Sequence, residues 1–138
     1  MRKLLEANVV DCLEYRILVL VGEIDLSVGE WLLAQIVGLL RGGEVPLLID
    51  MTGVRFCDST GLNVAVDAKR QADACGCTIV FFGLSERVEK LFRITALDRL
   101  IDTHPTLSEA AAAVTHPIAA TYGSPGAGQQ PAPRCGTD

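Results

Sequence analysis

Pro46-Leu47-Leu48-Ile49-Asp50 is a short apolar run that meets no polar residue until its last position. Runs of this kind, too brief for a helix and lacking alternation, are strands covered on both faces, the usual condition of a parallel sheet. Ile17-Leu18-Val19-Leu20-Val21, closed by Gly22, and Thr78-Ile79-Val80-Phe81-Phe82 repeat the pattern, and Leu100-Ile101 offers a last short strand. Ahead of them, Leu5 to Leu13 mixes Val9, Val10, Cys12 and Leu13 with polar residues, and reads as an edge strand hairpinned to the next.

Helical periodicity occupies the intervals. Between Val28 and Arg41, residues Leu32, Leu33, Ile36, Val37, Leu39 and Leu40 gather on one side of a 3.6-residue wheel, and Gly42-Gly43 ends the helix. Trp31 falls opposite that stripe, either folded over the first turn or facing a partner. From Ser59 to Cys75 the small residues Gly61, Val64, Ala65, Ala68, Ala72 and Cys75 form a stripe that lets a helix lie close to a sheet, with Gly76 as its stop. A third helix starts at Ser85 and buries Val88, Leu91 and Phe92. In the fourth, Thr106-Leu107-Ser108-Glu109 has the form of a reciprocal capping box, and the helix ends before Pro117.

This alternation predicts an α/β fold: a mostly parallel mixed sheet of about five strands, an antiparallel edge strand and about four covering helices. Residues 1–116 form that domain. Residues 117–138, rich in Gly and Pro, are expected to be a flexible tail, because they cannot bury enough apolar surface to offset their ordering entropy.

Composition narrows the function. Net charge is −5, from 17 acidic and 12 basic residues, with no Lys/Arg stripe and only 5% aromatic residues. Nucleic-acid binding relies on basic groups that displace phosphate counterions, so a protein partner or small ligand is expected instead. Met1-Arg2-Lys3-Leu4-Leu5 begins like a secretory signal, but Glu6, Asn8 and Asp11 interrupt it. No apolar run approaches the ~20 residues that span a bilayer. The expectation is a cytoplasmic protein without a membrane partner. Five scattered cysteines, Cys12, Cys57, Cys75, Cys77 and Cys135, are expected to be free and mostly buried thiols. Cys75-Gly76-Cys77 has no second ligand pair, so neither metal nor other cofactor is anticipated.

In α/β sheets, sites gather where strands end and helices begin. Two such connections carry suitable chemistry: Gly22 to Ser27, and Asp50 to Gly61. In the second, Phe56-Cys57-Asp58-Ser59-Thr60-Gly61 offers three capping side chains where a helix start needs one. A surplus hydroxyl there stands beside unpaired backbone N–H groups that suit an anionic product. Ser59 is therefore the candidate site of phosphorylation, in a switch rather than an enzyme.

Gly22-Glu23-Ile24-Asp25, Leu47-Leu48-Ile49-Asp50 and Asp58-Ser59-Thr60-Gly61-Leu62, in that order, resemble the STAS domain of bacterial anti-sigma factor antagonists over roughly residues 10–115. The resemblance implies a partner-switching mechanism in transcription regulation. Unmodified antagonist binds an anti-sigma factor that is itself an ATP-dependent serine kinase, and so frees a sigma factor. Phosphorylation breaks the complex, and a metal-dependent phosphatase acting on phosphoserine resets it. By position, Ser59 would be the phosphoacceptor and Asp58, Thr60, Gly61, Leu62 and Asn63 the contact surface, with Asp25 on the adjacent loop. Asp25 is equally explained as a turn or N-cap residue. Asn63, where several family members carry a second glycine, would alter that surface.

Three other readings compete. Asp50, at the end of its strand, could be the phosphoacceptor of a receiver-like domain. Ser59 could be a hydrolase nucleophile, although the histidines, His104 and His116, sit late in the chain and no G-x-S-x-G elbow occurs. A STAS scaffold module of a larger stress-signalling assembly would use the same fold and acceptor.

Overall fold

The structure is a computed structural model that describes residues 5–42 and 45–115. Five strands form one sheet in the order β1 (Leu5–Asp11), β2 (Arg16–Ile24), β3 (Leu47–Cys57), β4 (Ile79–Phe82), β5 (Thr103–His104). The β1–β2 pair is antiparallel, running from Leu5 opposite Gly22 to Asp11 opposite Arg16. The other three pairings are parallel. The expected α/β architecture, with its antiparallel edge, is what the chain adopts.

Because each crossover advances by one strand in the same direction, right-handed connections place successive helices on one side of the sheet. Accordingly α1 (Gly29–Gly42), α2 (Ser59–Ala74) and α3 (Glu86–Ile94) share one core with Leu18, Leu20, Leu47, Ile49, Ile79 and Phe81. Strand residues of the opposite parity, Ile17, Leu48, Val80 and Phe82, meet Ala110 and Ala111 of α4 (Leu107–Thr115) on the other face. The uninterrupted apolar strands thus reflect cover on both sides. Much of each helix stripe read from the sequence is buried, including Leu32, Ile36 and Leu40 of α1 and Val64, Ala65, Ala68 and Ala72 of α2. Cys75, however, beyond the last turn of α2, is exposed, and Leu91 of α3 is only half-buried. Trp31 is half-buried and packs against this core, as a ring folded over the first turn would.

Several local expectations need correction. Gly22 does not close its strand, which continues to Ile24; with φ +129 it marks a bulge instead. The stretch after Asp50, expected to be a short loop, is strand as far as Cys57. Two register shifts against β2 each add a residue to β3, so its inward positions step from Ile49 to Met51, Val54 and Cys57. Leu100-Ile101 is not a strand. Both amides donate to the Leu97 carbonyl (3.0 and 2.8 Å) in a turn entered through Ala96 at φ +63, and pairing with β4 begins only at Asp102. Among the cysteines, Cys57 is free and buried, Cys75 free and exposed, and Cys77 free and half-buried. Cys12, by contrast, is disulfide-bonded. Residues 116–138, including His116 and the expected tail, lie outside the described residues.

Candidate functional site

The carboxyl ends of β2 and β3 and the starts of α1 and α2 meet at one end of the sheet. Asp58 leaves β3 in an extended conformation, and its Oδ1 accepts the Thr60 N–H at 2.8 Å, which makes it the N-cap of α2. Its carbonyl accepts the Gly61 N–H at 3.0 Å. Ser59 is then the first helical residue; it is exposed, and its hydroxyl has no hydrogen-bond partner among the described residues. Of the three candidate caps, Asp58 alone is used. α2 also has no acidic residue in its first turn, so the N–H groups beside Ser59 face no carboxylate of their own helix apart from the cap.

Two glycines hold this corner together. A Cβ on Gly61 would lie 2.1 Å from the Cys57 Sγ and 3.4 Å from the Ile24 side chain, so only glycine lets α2 begin so close to the strand ends. A Cβ on Gly29 would lie 2.6 Å from the Thr60 methyl, which fixes the start of α1 against the start of α2. Cys57 fills the space under Gly61. Burial, and then the nearby Asp58 carboxylate, push its thiol up to about 11, so it remains protonated at neutral pH and serves as a filler, not a nucleophile.

The neighbouring loop is tied to the same corner, since the Asp58 N–H donates to the Ile24 carbonyl at 3.2 Å. Asp25 caps the 3-10 turn Leu26–Val28, accepting the Ser27 N–H at 2.9 Å and the Ser27 hydroxyl at 2.6 Å. The turn lifts Leu26 into solvent, 84% exposed, beside a groove of about 190 Å³ lined by Leu26, Glu30, Leu33, Thr60, Asn63 and Asp67. Phe56 is also exposed, at 43%, next to the last residue of β3 before the cap. Four carboxylates, Asp25, Glu30, Asp58 and Asp67, flank this end of the molecule.

The residues named from the sequence therefore divide. Ser59 lies on the outer surface with Thr60 and Asn63, which line the groove. Asp25 and Asp58 are caps at its rim. Gly61 is half-buried under the helix start, and Leu62 packs inward against the core. Leu26 and Leu33 were not anticipated. An exposed leucine between Asp25 and Ser27 was the one available signal; the groove itself depends on the approach of two helices distant in sequence.

The rival acceptor is poorly placed. Asp50 lies in the interior of β3, paired with Val19 and Phe82, and its carboxylate accepts the Thr52 N–H (2.9 Å) and hydroxyl (2.6 Å). The sheet order also differs from the 2-1-3-4-5 order of receiver-type folds. His104 belongs to β5, two strand positions from the strand that leads to Ser59, where each position is about 4.8 Å.

The family described as "Mlab, STAS domain" matches residues 14–102. The chain belongs to the STAS-domain family. Within it, the chain resembles the anti-sigma-B factor antagonist of Listeria monocytogenes, 43% identical over 58 residues, 42% of this chain and 51% of that protein. It is 37% identical to the anti-sigma-B factor antagonist of Bacillus subtilis over 81 residues, 59% of this chain and 73% of that protein. The match to the Listeria relative spans about half of that protein's length. Among solved structures, the anti-sigma factor antagonist SpoIIAA in its unphosphorylated form superposes with a TM-score of 0.64 at 21% identity, covering 86% of this chain and 98% of that one. The phosphorylated Bacillus form superposes at 0.59, also with 21% identity, over 76% and 96% of the two chains. The fold is thus that of a STAS domain, and the relatives are anti-sigma factor antagonists. No helix among the described residues is long and apolar enough to cross a membrane.

Proposed function

We propose that this chain is an anti-sigma factor antagonist that acts by partner switching in the bacterial cytoplasm. In its unphosphorylated form it binds an anti-sigma factor through the end of the sheet around Ser59. That partner is a serine kinase, which phosphorylates Ser59 and is thereby released, and a phosphatase restores the free hydroxyl. The antagonist itself performs no catalysis. The observation that carries this reading is the exposed Ser59 hydroxyl at the first position of α2, unengaged among the described residues because Asp58 supplies the cap.

Magnitudes favour a switch over an unfolding event. Phosphate on Ser59 would gain roughly 0.3–1 kcal/mol from the helix N-terminus. The Asp58 carboxylate nearby would oppose it by about 1 kcal/mol per unit of phosphate charge at ~4 Å in a water-like dielectric, hence by up to about 2 kcal/mol. The net cost of at most about 1–2 kcal/mol is small against the stability of a domain, so the fold persists. A partner seated on the uncharged hydroxyl faces a different balance, because burying an unpaired charge costs several kcal/mol. About 3 kcal/mol already exceeds a hundredfold in affinity. The groove beside Ser59, with Leu26 and Leu33 against Glu30 and Asp67, suits a partner that presents an apolar side chain framed by basic groups. Thr60, Asn63 and the rim carboxylates Asp25 and Asp58 belong to that contact, whereas Gly61 and Leu62 support it from beneath.

The test is intact-mass measurement of the protein from its own cells, before and after phosphatase treatment. A single phosphate, mapped to Ser59 and absent in Ser59→Ala, is the expected result. Phosphate found on Thr60, or none under any growth condition, would end the proposal.

A further inference from the structure

The far end of α2 carries chemistry that the Ser59 face does not use. Cys75 is the C-cap of that helix, and Gly76, at φ +70, turns the chain back so that the Cys77 N–H reaches the Ala72 carbonyl at 2.8 Å. Glycine adopts this left-handed conformation at little cost. The turn brings two side chains of i, i+2 spacing to the same side, and the Cys75 and Cys77 sulfurs stand 3.2 Å apart. Closing them to a disulfide of about 2.0 Å needs a further approach of only about 1 Å. The two thiols differ in access. Cys75 is exposed, whereas Cys77 is half-buried against the core with its sulfur 3.4 Å from the Leu40 carbonyl at the end of α1. Hydrogen bonding to Cys75, and then burial, raise the Cys77 thiol above its ordinary range, so Cys75 is the better placed to react first.

We propose that Cys75 and Cys77 form a vicinal dithiol, a second modification site that reduces low-molecular-weight disulfides and closes to an internal disulfide. The Cys75 thiolate attacks one sulfur of the small disulfide, forming a mixed disulfide and expelling one thiolate. The Cys77 thiolate then attacks the Cys75 sulfur and expels the second. The two protein thiols lose two electrons and two protons, and the small disulfide becomes two thiols. With its sulfur already at 3.2 Å, Cys77 makes the second step intramolecular and fast relative to release of the adduct. The site is separated from Ser59 by the 16 residues of α2, about 24 Å of helix, and is independent of the function proposed for that serine.

Glutathione disulfide is the probe, applied to the folded full-length chain. After alkylation of the remaining thiols, trypsin cutting after Arg70 and Arg87 gives peptide 71–87, which holds Cys75 and Cys77 and no other cysteine. The expected product is this peptide lighter by two hydrogens, with the glutathione adduct below about a tenth of it. The same reaction on urea-unfolded chain should give an adduct share about tenfold higher, because the turn no longer holds the sulfurs together. In Cys75→Ser the loss of two hydrogens should disappear. A persistent glutathione adduct on the folded chain, or equal product ratios folded and unfolded, would overturn the assignment.

Discussion

Ser59 and Ser85 both stand exposed at the start of a helix that follows a buried strand, yet their hydroxyls have different duties. Ser85 is the N-cap of α3, its Oγ accepting the Val88 N–H at 3.2 Å, and Glu86 and Glu89 already lie in that helix's first turn. Ser59 is one position further in, with the cap supplied by Asp58 and no acidic residue in the turn that follows. One serine is committed to the fold and its helix end is charge-compensated. The other can be modified without removing a cap, at a helix end that can still receive an anion. Position relative to the cap, more than residue type, separates a serine that the fold uses from one that it leaves available for the proposed modification.

The strongest way to break this contrast is Ser59→Asp. An aspartate at the first helical position is compatible with the helix dipole, so the variant should fold as the parent does by circular dichroism. Its affinity for the proposed anti-sigma factor kinase should fall about a hundredfold or more, read by calorimetry or surface plasmon resonance. An unfolded variant would show that Ser59 is needed by the fold after all, and unchanged affinity would place the partner elsewhere.

A second test asks what keeps Ser59 in place from below. In Gly61→Ala the new methyl meets the Cys57 sulfur, and overpacking of that kind costs about 1–3 kcal/mol. Pairing it with Cys57→Ala vacates the space, so the double variant should be more stable than the sum of the single changes implies, by about 1 kcal/mol in a double-mutant cycle by urea denaturation. Additive effects would mean the corner yields by backbone movement and the tight approach of helix to strand is not what positions the serine.

How much of this was legible depends on the kind of signal. Leu47-Leu48-Ile49 and Ile79-Val80-Phe81-Phe82 declare two-sided burial by composition alone, and the core confirms both faces. Ser85 and Thr106 were readable as caps because capping is a local event; the Thr106 hydroxyl accepts the Glu109 N–H at 3.2 Å. The second half of β3 was not readable. Its inward residues Met51, Val54 and Cys57 recur every three positions because two bulges intervene, so the period-2 signature is lost and Thr52, Gly53 and Arg55 resemble a loop. That error also made Asp50 look like a strand terminus when it is mid-strand. At the site, the surplus of caps in Asp58-Ser59-Thr60 pointed to an unused hydroxyl, and Ser59 was named for it. The use of Asp58 as the cap, which leaves both the Ser59 and Thr60 hydroxyls unengaged among the described residues, was not readable. The groove beside it rests on Gly29 meeting Thr60, a contact between residues thirty-one positions apart that no local pattern encodes.

The finest test compares the two serines directly. Ser85→Ala removes the oxygen that accepts the Val88 N–H, and loss of an N-cap side chain costs about 1 kcal/mol, or roughly 4–8 °C in Tm for a small domain. Ser59→Ala removes an oxygen that accepts nothing from the described residues, at an exposed position in a good helical context, so its effect should stay within about 0.5 kcal/mol of zero. Parallel thermal melts of the two variants therefore measure the contrast without any partner present. Asp58→Ala calibrates the pair, since it removes the cap that frees Ser59 and should behave like Ser85→Ala in size. If Asp58→Ala proves harmless because Ser59 or Thr60 takes over the cap, then Ser59 is a reserve structural group, and a phosphate on it would disturb the helix as well as the partner.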